Sequence, residues 1–475
     1  MGINDAIPNV LAGRYASSAL RSIWSPRGRV IAERQFWVTV LEEQAALGIP
    51  VPDGVIADYQ RVIDDVDLDS IRRREQTTRH DVKARIEEFC ELAGHEHIHK
   101  GLTSRDLTEN VEQLLIRRSL ELVASKSLAT LGRLARLAIE HRDVVVTGRT
   151  HNVPAQPTTL GKRFASAGEE LLAAYRRLEA LLAAYPLRGL KGPVGTQQDL
   201  VDLFHGDADL VDELERRIAT SLGFSATMTS VGQIYPRSLD FDVVTTLAQL
   251  AAAPSSLATT LRLMAGHDLV TEGFQPGQVG SSAMPHKTNM RTCERITGLQ
   301  VIVGGYVTMA TGLSGHQWNE GDVSDSVVRR VMLPDAFFAI DGLLEATLTV
   351  LDEFGAFDGR IAAELEGELP FLTTTRLLVA AVQAGSGRED AHAAIQRHTL
   401  SAAAARRHAK PVELWAALAA DPAFPLDEEA IERAVGDGAV ITGRAKEQVD
   451  GLAAEVEGLL AFHPDASAYE PEPLL

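Results

Sequence analysis

Apolar residues recur at helical spacing along most of the chain, with charged residues between them, and this pattern predicts an all-α protein. Alternating strand patterns are scarce, and the best short candidate is DVVVTG at 143–148. Several of the predicted helices are longer than an average globular helix. The predicted long helices cover residues 112–142, 159–185, 208–222, 239–266, 290–313 and 334–354.

Interruptions of the helical pattern predict the domain organisation. GELPFLTTT at 367–375 breaks the pattern, and AGSGREDAHAAI then predicts a turn with Ser386 and Glu389 as a capping box. Short helices follow, and HPDASAYEPEPLL at the end predicts a loose tail. We therefore predict three helical domains, which are an N-terminal domain at 1–115, a central long-helix bundle at 116–366 and a small C-terminal domain at 367–475.

Charge and composition narrow the class of partner. The 475 residues carry 46 basic and 65 acidic side chains, a net charge of −19, which argues against a nucleic-acid partner. The binding of an anionic substrate would therefore need a local cluster of cations that outweighs the negative potential of the chain as a whole. Two cysteines give no disulfide framework and suit a reducing cytosol. With no signal-peptide pattern and no apolar run judged long enough to span a membrane, we expect a cytoplasmic protein without a membrane partner.

Metal and cofactor motifs do not emerge from the sequence. The segment GHEHIH contains His95, His97 and His99. A structural zinc site requires four ligands, and this segment lacks a fourth. Cys293 has no base close in sequence, so packing is the simpler explanation for it. Phosphate-binding and dinucleotide-binding glycine loops are also missing from the sequence. We expect neither a metal nor a cofactor.

Four polar clusters lie between the predicted helices. They are TTRHDVKA at 77–84, HKGLTSRD at 99–106, GRTHNVPAQP at 148–157 and GSSAMPHKTNMRTCE at 280–294. Each alone is most simply a helix cap or a turn, since caps and turns use the same residues. The four together, in this order, favour an active site.

The fourth cluster matches the Gly-Ser-Ser-x-Met-Pro-x-Lys-x-Asn loop of the fumarase/aspartase superfamily. The other clusters, with RYAS at 14–17, SVGQIYPR at 230–237 and SDSVVRR at 324–330, resemble the adenylosuccinate lyase family in particular. The resemblance runs from Arg14 to about residue 460. Two positions depart from the family pattern, because Met290 stands where the loop usually has proline and Gly321 stands where an arginine is frequent.

The resemblance implies a cofactor-free β-elimination. Fumarate would leave from adenylosuccinate, giving AMP, and from succinylaminoimidazole carboxamide ribotide, giving the aminoimidazole carboxamide ribotide, both in purine nucleotide biosynthesis. It also implies a homotetramer in which the central bundle forms the core and each site takes segments from three chains. Three alternatives stay open. The first is another enzyme of the superfamily, such as argininosuccinate lyase or a carboxymuconate cycloisomerase. The second is a non-catalytic structural relative, and the third is a helical scaffold.

The resemblance also implies roles for the catalytic residues. Ser281 would be the general base, with Ser282 as second choice, and His151 the general acid, oriented by Glu294. His80 would assist, and Lys287 would stabilise a carbanion whose charge spreads into the neighbouring carboxylate, a state that needs preorganised positive charge.

Substrate-binding roles follow from the same resemblance. Thr103, Ser104, Lys287 and Asn289 would hold the succinyl carboxylates. The expected phosphate side comprises Arg14, Tyr15, His99, Ser326 and Arg330, with Arg329 a close competitor of Arg330. Gln233 and Arg237 would lie near the ribose, base or amide, and the remaining expected contacts are Arg79, Asp81, Thr150, Ser282 and Met284.

Overall fold

A computed structural model describes residues 7–273, 283–284, 286–436 and 440–473. The N-terminal helices are α1 (Val10–Arg14), α2 (Ser18–Trp24), α3 (Pro26–Ala46), α4 (Val55–Arg61), α5 (Leu68–Thr78) and α6 (Asp81–Ala93). The middle of the chain holds α7 (Ser104–Glu140), β1 (Val145–Thr150), β2 (Val153–Thr159), α8 (Leu160–Ala184), α9 (Gln198–Leu203), α10 (Ala208–Ser221), α11 (Ser238–Gly266), β3 (Val270–Thr271), α12 (Arg291–Leu313) and α13 (Ser326–Glu353). The remaining elements are β4 (Gly355–Ala356), α14 (Asp358–Leu372), α15 (Thr374–Gln383), α16 (Arg388–Arg407), α17 (Leu414–Ala419), α18 (Glu428–Val435), a 3-10 turn (Val440–Thr442), α19 (Ala445–Leu460) and α20 (Pro464–Ser467).

Five long helices, α7, α8, α11, α12 and α13, form the centre of the molecule. They pack on one another along their apolar faces, α11 against α12 and α7 against α8 and α13. The longest, α7, has 37 residues, and most of its middle is buried. The predicted all-α class is confirmed, because the two small antiparallel pairs, β1–β2 and β3–β4, are the sheets within the described residues.

Two of the long helices begin earlier than predicted. α7 begins at Ser104, eight residues before the predicted start, because Thr103 and Asp106 form a capping box at its first turn. α13 begins at Ser326, and Pro334, the predicted start, lies in its third turn. A proline that far inside a helix removes one backbone hydrogen bond, a cost that tertiary packing of a long buried helix can offset.

The predicted strand exists, but it belongs to a hairpin that the sequence did not indicate. β1 pairs antiparallel with β2, and Thr150 faces Val153 across the tip. The two tip residues, His151 and Asn152, have φ of 52° and 62°. Positive φ at both central residues is the conformation of a two-residue type I′ turn, which fits the twist of the strands it joins.

The C-terminal region has a separate hydrophobic core. α15 to α18 enclose it, whereas α19 returns to pack on α7 and α8. The predicted capping box is wrong, because Gly387 is the N-cap of α16, its cap makes no side-chain hydrogen bond, and Ser386 bonds the Gly387 carbonyl instead. The division into three domains stays a prediction, and residue 115 lies inside α7.

The last residues are not the loose tail that the composition predicted. Tyr469 donates its hydroxyl hydrogen to Glu345 on α13, and Glu472 accepts the backbone N–H of Ser18 at 3.0 Å. Polar composition alone predicted solvation, but specific hydrogen-bond partners tie this segment to the bundle.

One helix among the described residues, α12, is long and apolar enough to cross a bilayer by length and composition, and 22% of its apolar window is buried. The expectation that no apolar segment reaches that length is therefore wrong. An apolar helix in the core of a helical protein passes the same test of length and composition.

Candidate active site

A cleft of about 580 Å³ opens where three parts of the chain meet, the junction of α5 and α6, the first turns of α7 and the start of α13. It gathers six of the residues proposed from sequence. They are Arg79, His80, Asp81, Ser104, Ser326 and Arg330. The rest of the lining is Arg29, Glu75, Val82, Arg85, Arg105, Thr108, Glu112, Val323 and Arg329.

The cleft is a local concentration of positive charge in an acidic chain. Six arginines line it against three carboxylates, whereas the whole chain carries −19. Burial alone would raise the pKa of Asp81, but Arg85, the Val82 N–H, His80 and Arg330 together lower it below its usual range. Asp81 therefore stays ionised and pairs with Arg85 at 2.8 Å. Such a cleft suits a ligand with several negative charges.

His80 is the N-cap of α6, and its Nδ1 accepts the backbone N–H of Lys83 at 3.2 Å. A ring nitrogen that accepts is unprotonated, so the neutral imidazole carries its proton on Nε2. The side chain is 52% exposed and lines the cleft. His80 can therefore offer an N–H donor to a bound ligand while its orientation is fixed by the helix start.

A buried ion network lies beneath the cleft. Arg329 bonds Asp240 at 2.7 Å and Glu112 at 2.8 Å, and Arg237 forms a two-point pair with Glu109 at 2.7 and 3.1 Å. Arg237 was expected near the ribose, base or amide, but its side chain is 1% exposed and commits its charge to protein carboxylates. Burial would by itself lower the pKa of Arg329, but the surrounding acids raise it.

Arg330, the next residue along α13, is exposed on the cleft wall. Of the two arginines considered for the phosphate, it is the one whose guanidinium is accessible. Gln233 lies on the segment before α11, where its backbone N–H donates to the Glu320 carbonyl at 2.6 Å. Both stay predictions as substrate contacts.

His99 is held on the aromatic core of the N-terminal helices. The indole N–H of Trp37 donates to its Nδ1 at 3.0 Å, and burial lowers the pKa of His99 to about 4, while Asp106 opposes that shift. His99 is therefore neutral at physiological pH and could offer a phosphate an N–H but no charge. His95 and His97 bond Asp58 and Lys100 instead, and no metal-binding group of three such side chains occurs in the part of the chain that the structure describes.

Asp106 connects α7 to the loop before α9. One carboxylate oxygen accepts the Thr103 N–H at 2.8 Å, and the other accepts from Arg188 at 2.8 Å and from the Lys191 and Gly192 N–H groups at 2.9 and 3.0 Å. Asp106 is fully buried. It fixes Thr103 and the first turn of α7, so that Ser104 faces the cleft at the positive end of a long helix.

The other predicted catalytic and hairpin or loop residues that the structure describes do not line this cleft in a single chain. Thr150 and His151 are exposed at the tip of the β1–β2 hairpin. Met284 and Lys287 are exposed ahead of α12, and Glu294 in its first turn lies 3.5 Å from Arg262. Asn289 is partly buried beside them. Ser281 and Ser282, the two candidates for the base, lie outside the described residues.

Arg14 and Tyr15 are also remote from Arg330. The backbone of Tyr15 rests against Gly342 on α13, where an added Cβ would approach the Tyr15 Cβ to 2.6 Å. Arg330 and Gly342 are twelve residues apart on α13, about 18 Å along the helix axis. One chain therefore cannot bring Arg14, Tyr15 and Arg330 to a single phosphate.

The start of α12 is held by a carboxylate that the sequence did not single out. Glu272 accepts the N–H groups of Thr292 and Cys293 at 2.8 and 2.9 Å. These first-turn donors are therefore occupied by protein. Met290, the departure from the family proline, is buried in the main core.

Gly321, the second departure, has φ of 128°, which is a glycine conformation. An arginine would be strained in this backbone conformation. The conformation therefore explains why glycine replaces the family's arginine at this position. Glu109 and Glu272 were also missed as organisers of the site, and Asp106 was noted only as a member of the HKGLTSRD cluster, because the partners of all three acids lie far away in the chain.

Comparisons with known proteins agree with the motifs. The profile of the family described as lyase matches residues 16–305, and that described as adenylosuccinate lyase C-terminus matches 370–452. Adenylosuccinate lyase of Saccharomyces cerevisiae is 35% identical over 405 residues, covering 84% of each chain, and that of Schistosoma mansoni is 33% identical, covering 83% of each.

Solved structures show the same fold. A 3-carboxy-cis,cis-muconate lactonizing enzyme from Pseudomonas putida superimposes with a TM-score of 0.80 at 20% identity, covering 95% of this chain and 100% of that one. A fumarate lyase from Mesorhizobium sp. BNC1 gives 0.78 at 21% identity, covering 93% and 99%. At such identity these two establish the fold alone, while the curated relatives and the matched profiles establish the family. The chain is a lyase and belongs to the adenylosuccinate lyase family.

Proposed function

We propose that the protein eliminates fumarate from adenylosuccinate, giving AMP, and from succinylaminoimidazole carboxamide ribotide, giving the aminoimidazole carboxamide ribotide. The observation that carries this proposal is the arginine-rich cleft, which collects six residues proposed from sequence in a chain of net charge −19. Each substrate carries two carboxylates and a phosphate, so its charge matches the cleft. The steps belong to purine nucleotide synthesis, which we assign to the cytoplasm.

The reaction needs a base on carbon and an acid on nitrogen. Ser281, or Ser282 in its place, removes a proton from the carbon next to one succinyl carboxylate, and His151 protonates the nitrogen as the carbon–nitrogen bond breaks. Lys287 stabilises the charge that spreads into the carboxylate, and Glu294 orients His151. Preorganised cations are the main requirement of such a transition state, which is why the reaction needs no cofactor.

The cleft supplies the rest of the binding groups. Ser104 lies on the cleft in the first turn of α7, directly after the N-cap Thr103, where the helix dipole favours a carboxylate. His80 contributes its Nε2–H, while Arg330 and Ser326 contact the phosphate from α13. The exposure of Arg330, beside the buried Arg329, supports the choice between them.

Sites shared between chains explain why the catalytic residues are scattered. His151 at an exposed hairpin tip and Lys287 on an exposed segment can reach the cleft of a neighbouring chain. Arg14 and Tyr15 lie about 18 Å along α13 from Arg330 and would serve a different site. We therefore propose a homotetramer in which each site takes segments from three chains.

The exposed face of α12 supports this assembly. Val301 is 70% exposed, and Ile302 and Met309 are more than a third exposed on the same helix. An apolar face of this kind is unfavourable in contact with water. Packing of α12 against the same helix of other chains would bury it.

The proposed reaction is tested by following fumarate release from each substrate. Wild type should convert both, and His151→Ala and Ser281→Ala should each lower kcat by about 10²- to 10⁴-fold. Thermal stability should stay unchanged, because His151 is exposed. His205→Ala, which removes another exposed histidine with positive φ, is the matched control and should be active.

Two results would correct or reject this assignment. If Ser281→Ala is active and Ser282→Ala is not, the base is the second serine. A folded wild-type protein that releases no fumarate from either substrate rejects the proposed function.

A further inference from the structure

The C-terminal segment at 469–472 packs against α13 and against the start of α2. The Tyr469 hydroxyl donates to Glu345 on α13, and Arg133 on α7 donates to the Tyr469 carbonyl. Glu472 donates its backbone N–H to the other Glu345 oxygen at 2.6 Å. Its side chain accepts the N–H of Ser18, at 3.1 and 3.0 Å to its two oxygens.

The target of these contacts is a fully buried ion cluster. Lys126 on α7 lies 2.6 Å from Glu345 and also pairs with Asp341, and all three side chains have no exposed surface. One cation therefore faces two buried carboxylates, so the cluster needs further donors. Tyr469 and Glu472 supply two of them to Glu345, and burial together with Glu345 raises the pKa of Tyr469, which keeps its hydroxyl protonated.

The same cluster holds the segment that carries Arg14 and Tyr15. The Ser17 N–H donates to Asp341 at 2.6 Å, and Lys126 donates to the Ser17 hydroxyl at 2.9 Å. Ser17 is buried and is the N-cap of α2, whose first N–H, that of Ser18, is bonded by Glu472. The ion cluster thus holds Ser17 and the C-terminal segment holds Ser18, two and three residues after Tyr15.

We propose that Tyr469 and Glu472 are positioning residues for substrate binding. They fix the backbone of the Arg14–Ser17 segment, so that the side chains of Arg14 and Tyr15 are held in place to contact the substrate phosphate. The role of Arg14 and Tyr15 rests on the proposed function. A displacement of a binding group by about an ångström is enough to weaken a charged contact strongly. Positioning of this kind should appear in binding of the phosphate rather than in the chemical step.

The test compares Glu472→Ala with Glu470→Ala, which removes the same side chain from an exposed position two residues away. Glu472→Ala should raise KM for adenylosuccinate and the Kd of AMP by about tenfold, with kcat nearly unchanged, because Arg14 and Tyr15 would then be displaced from the phosphate. Binding of adenosine, which has no phosphate, should not change. Glu472→Gln keeps an acceptor oxygen and should fall between wild type and Glu472→Ala.

A second readout does not depend on catalysis. Hydrogen exchange of the peptide covering residues 10–20 should be about tenfold faster in Glu472→Ala than in Glu470→Ala, because the Ser18 N–H loses its acceptor. Tyr469→Phe is the milder variant if Glu472→Ala does not fold, and it should change both readouts in the same direction.

If Glu472→Ala matches Glu470→Ala in KM, AMP affinity and exchange, or if it weakens adenosine as much as AMP, the positioning role is rejected while the lyase proposal stands. If wild type cleaves no adenylosuccinate, the proposed function fails, and the exchange rates alone decide whether the C-terminal residues hold the segment.

Discussion

Two neighbouring arginines at the start of α13 show how burial decides what a charged residue can do. Arg329 is 2% exposed and is bonded to Asp240 and Glu112, so its charge is committed to the protein interior. Arg330 is exposed on the cleft wall and remains accessible to a ligand. The sequence VVRR offers no way to tell them apart, because the helical phase at the start of α13 was not predicted.

This difference gives a paired prediction. Arg329→Ala should cost roughly 3–5 kcal/mol of unfolding free energy, since it leaves Asp240 and Glu112 buried without their partner. Arg330→Ala should change stability by less than about 0.5 kcal/mol but raise KM for adenylosuccinate. Urea unfolding and steady-state kinetics of both variants measure this. Equal stability losses in the two would contradict the assignment.

His99 predicts a pH dependence of stability. Its pKa is about 4 in the folded chain against 6.5 for an unperturbed histidine, because burial disfavours the charged form. Below pH 6.5 the unfolded state therefore binds a proton that the folded state does not. Stability is full above pH 6.5 and falls as the pH drops toward 4, by up to about 3 kcal/mol from this group.

Urea midpoints between pH 7 and 4 measure the effect. His99→Gln should flatten the slope in that window, whereas the exposed His205→Gln should leave it unchanged. A slope that is as steep in His99→Gln as in wild type would show that other groups cause the acid sensitivity.

At the scale of elements, the starts of helices place the site. The His80 cap begins α6, the Thr103–Asp106 capping box begins α7, and Glu272 holds the first turn of α12. Each start carries a predicted site residue to its position, since His80 itself caps α6 while Ser104 and Glu294 lie in the first turns of α7 and α12. The observed caps match the simplest explanation of these clusters, and their part in substrate binding stays a prediction.

Asp106 provides the prediction at this scale. Asp106→Ala removes the cap of α7 and leaves Arg188 buried without its carboxylate, so we expect a loss of roughly 3–5 kcal/mol. Asp207→Ala removes an exposed cap of α10 and should cost about 1 kcal/mol. Thermal or urea unfolding separates the two. Similar losses would mean that Asp106 acts only as a cap.

Helical periodicity was enough to predict the all-α class and the middle of each long helix, because apolar spacing records which face is buried. Helix ends were less predictable, as the starts of α7 and α13 show, since a cap depends on a few polar atoms. The hairpin was missed because β2 contains Pro154 and Pro157, which argue against a strand in sequence. The contacts of Glu472 and Asp106 join residues far apart in the chain, so no local pattern could indicate them.

At the scale of the whole molecule, α12 has an apolar face that the described part of one chain leaves exposed to solvent. Val301 is 70% exposed on this helix, and Leu400, on α16 of the C-terminal region, is similarly exposed at 66%. A single exposed leucine is ordinary on a protein surface, whereas several apolar side chains on one helix face indicate an interface.

We expect Val301→Glu to convert the proposed tetramer into smaller species and to abolish activity, because it would bury a charge in the proposed interface. Leu400→Glu should change neither. Light scattering at matched protein concentrations measures this. A Val301→Glu protein that remains the same size as wild type would place the interface elsewhere.

In the proposed assembly, one site combines the His151 hairpin of one chain with the Lys287 segment of another. The direct test mixes His151→Ala and Lys287→Ala proteins, each inactive alone, under conditions in which chains exchange. If the two segments come from different chains, about a quarter of the sites in a random equal mixture contain both native side chains, and fumarate release should return to that extent. A mixture of His151→Ala with His151→Gln, in which no site can be complete, should stay inactive. Exchange confirmed by mass but without recovery of activity in the first mixture would contradict the claim.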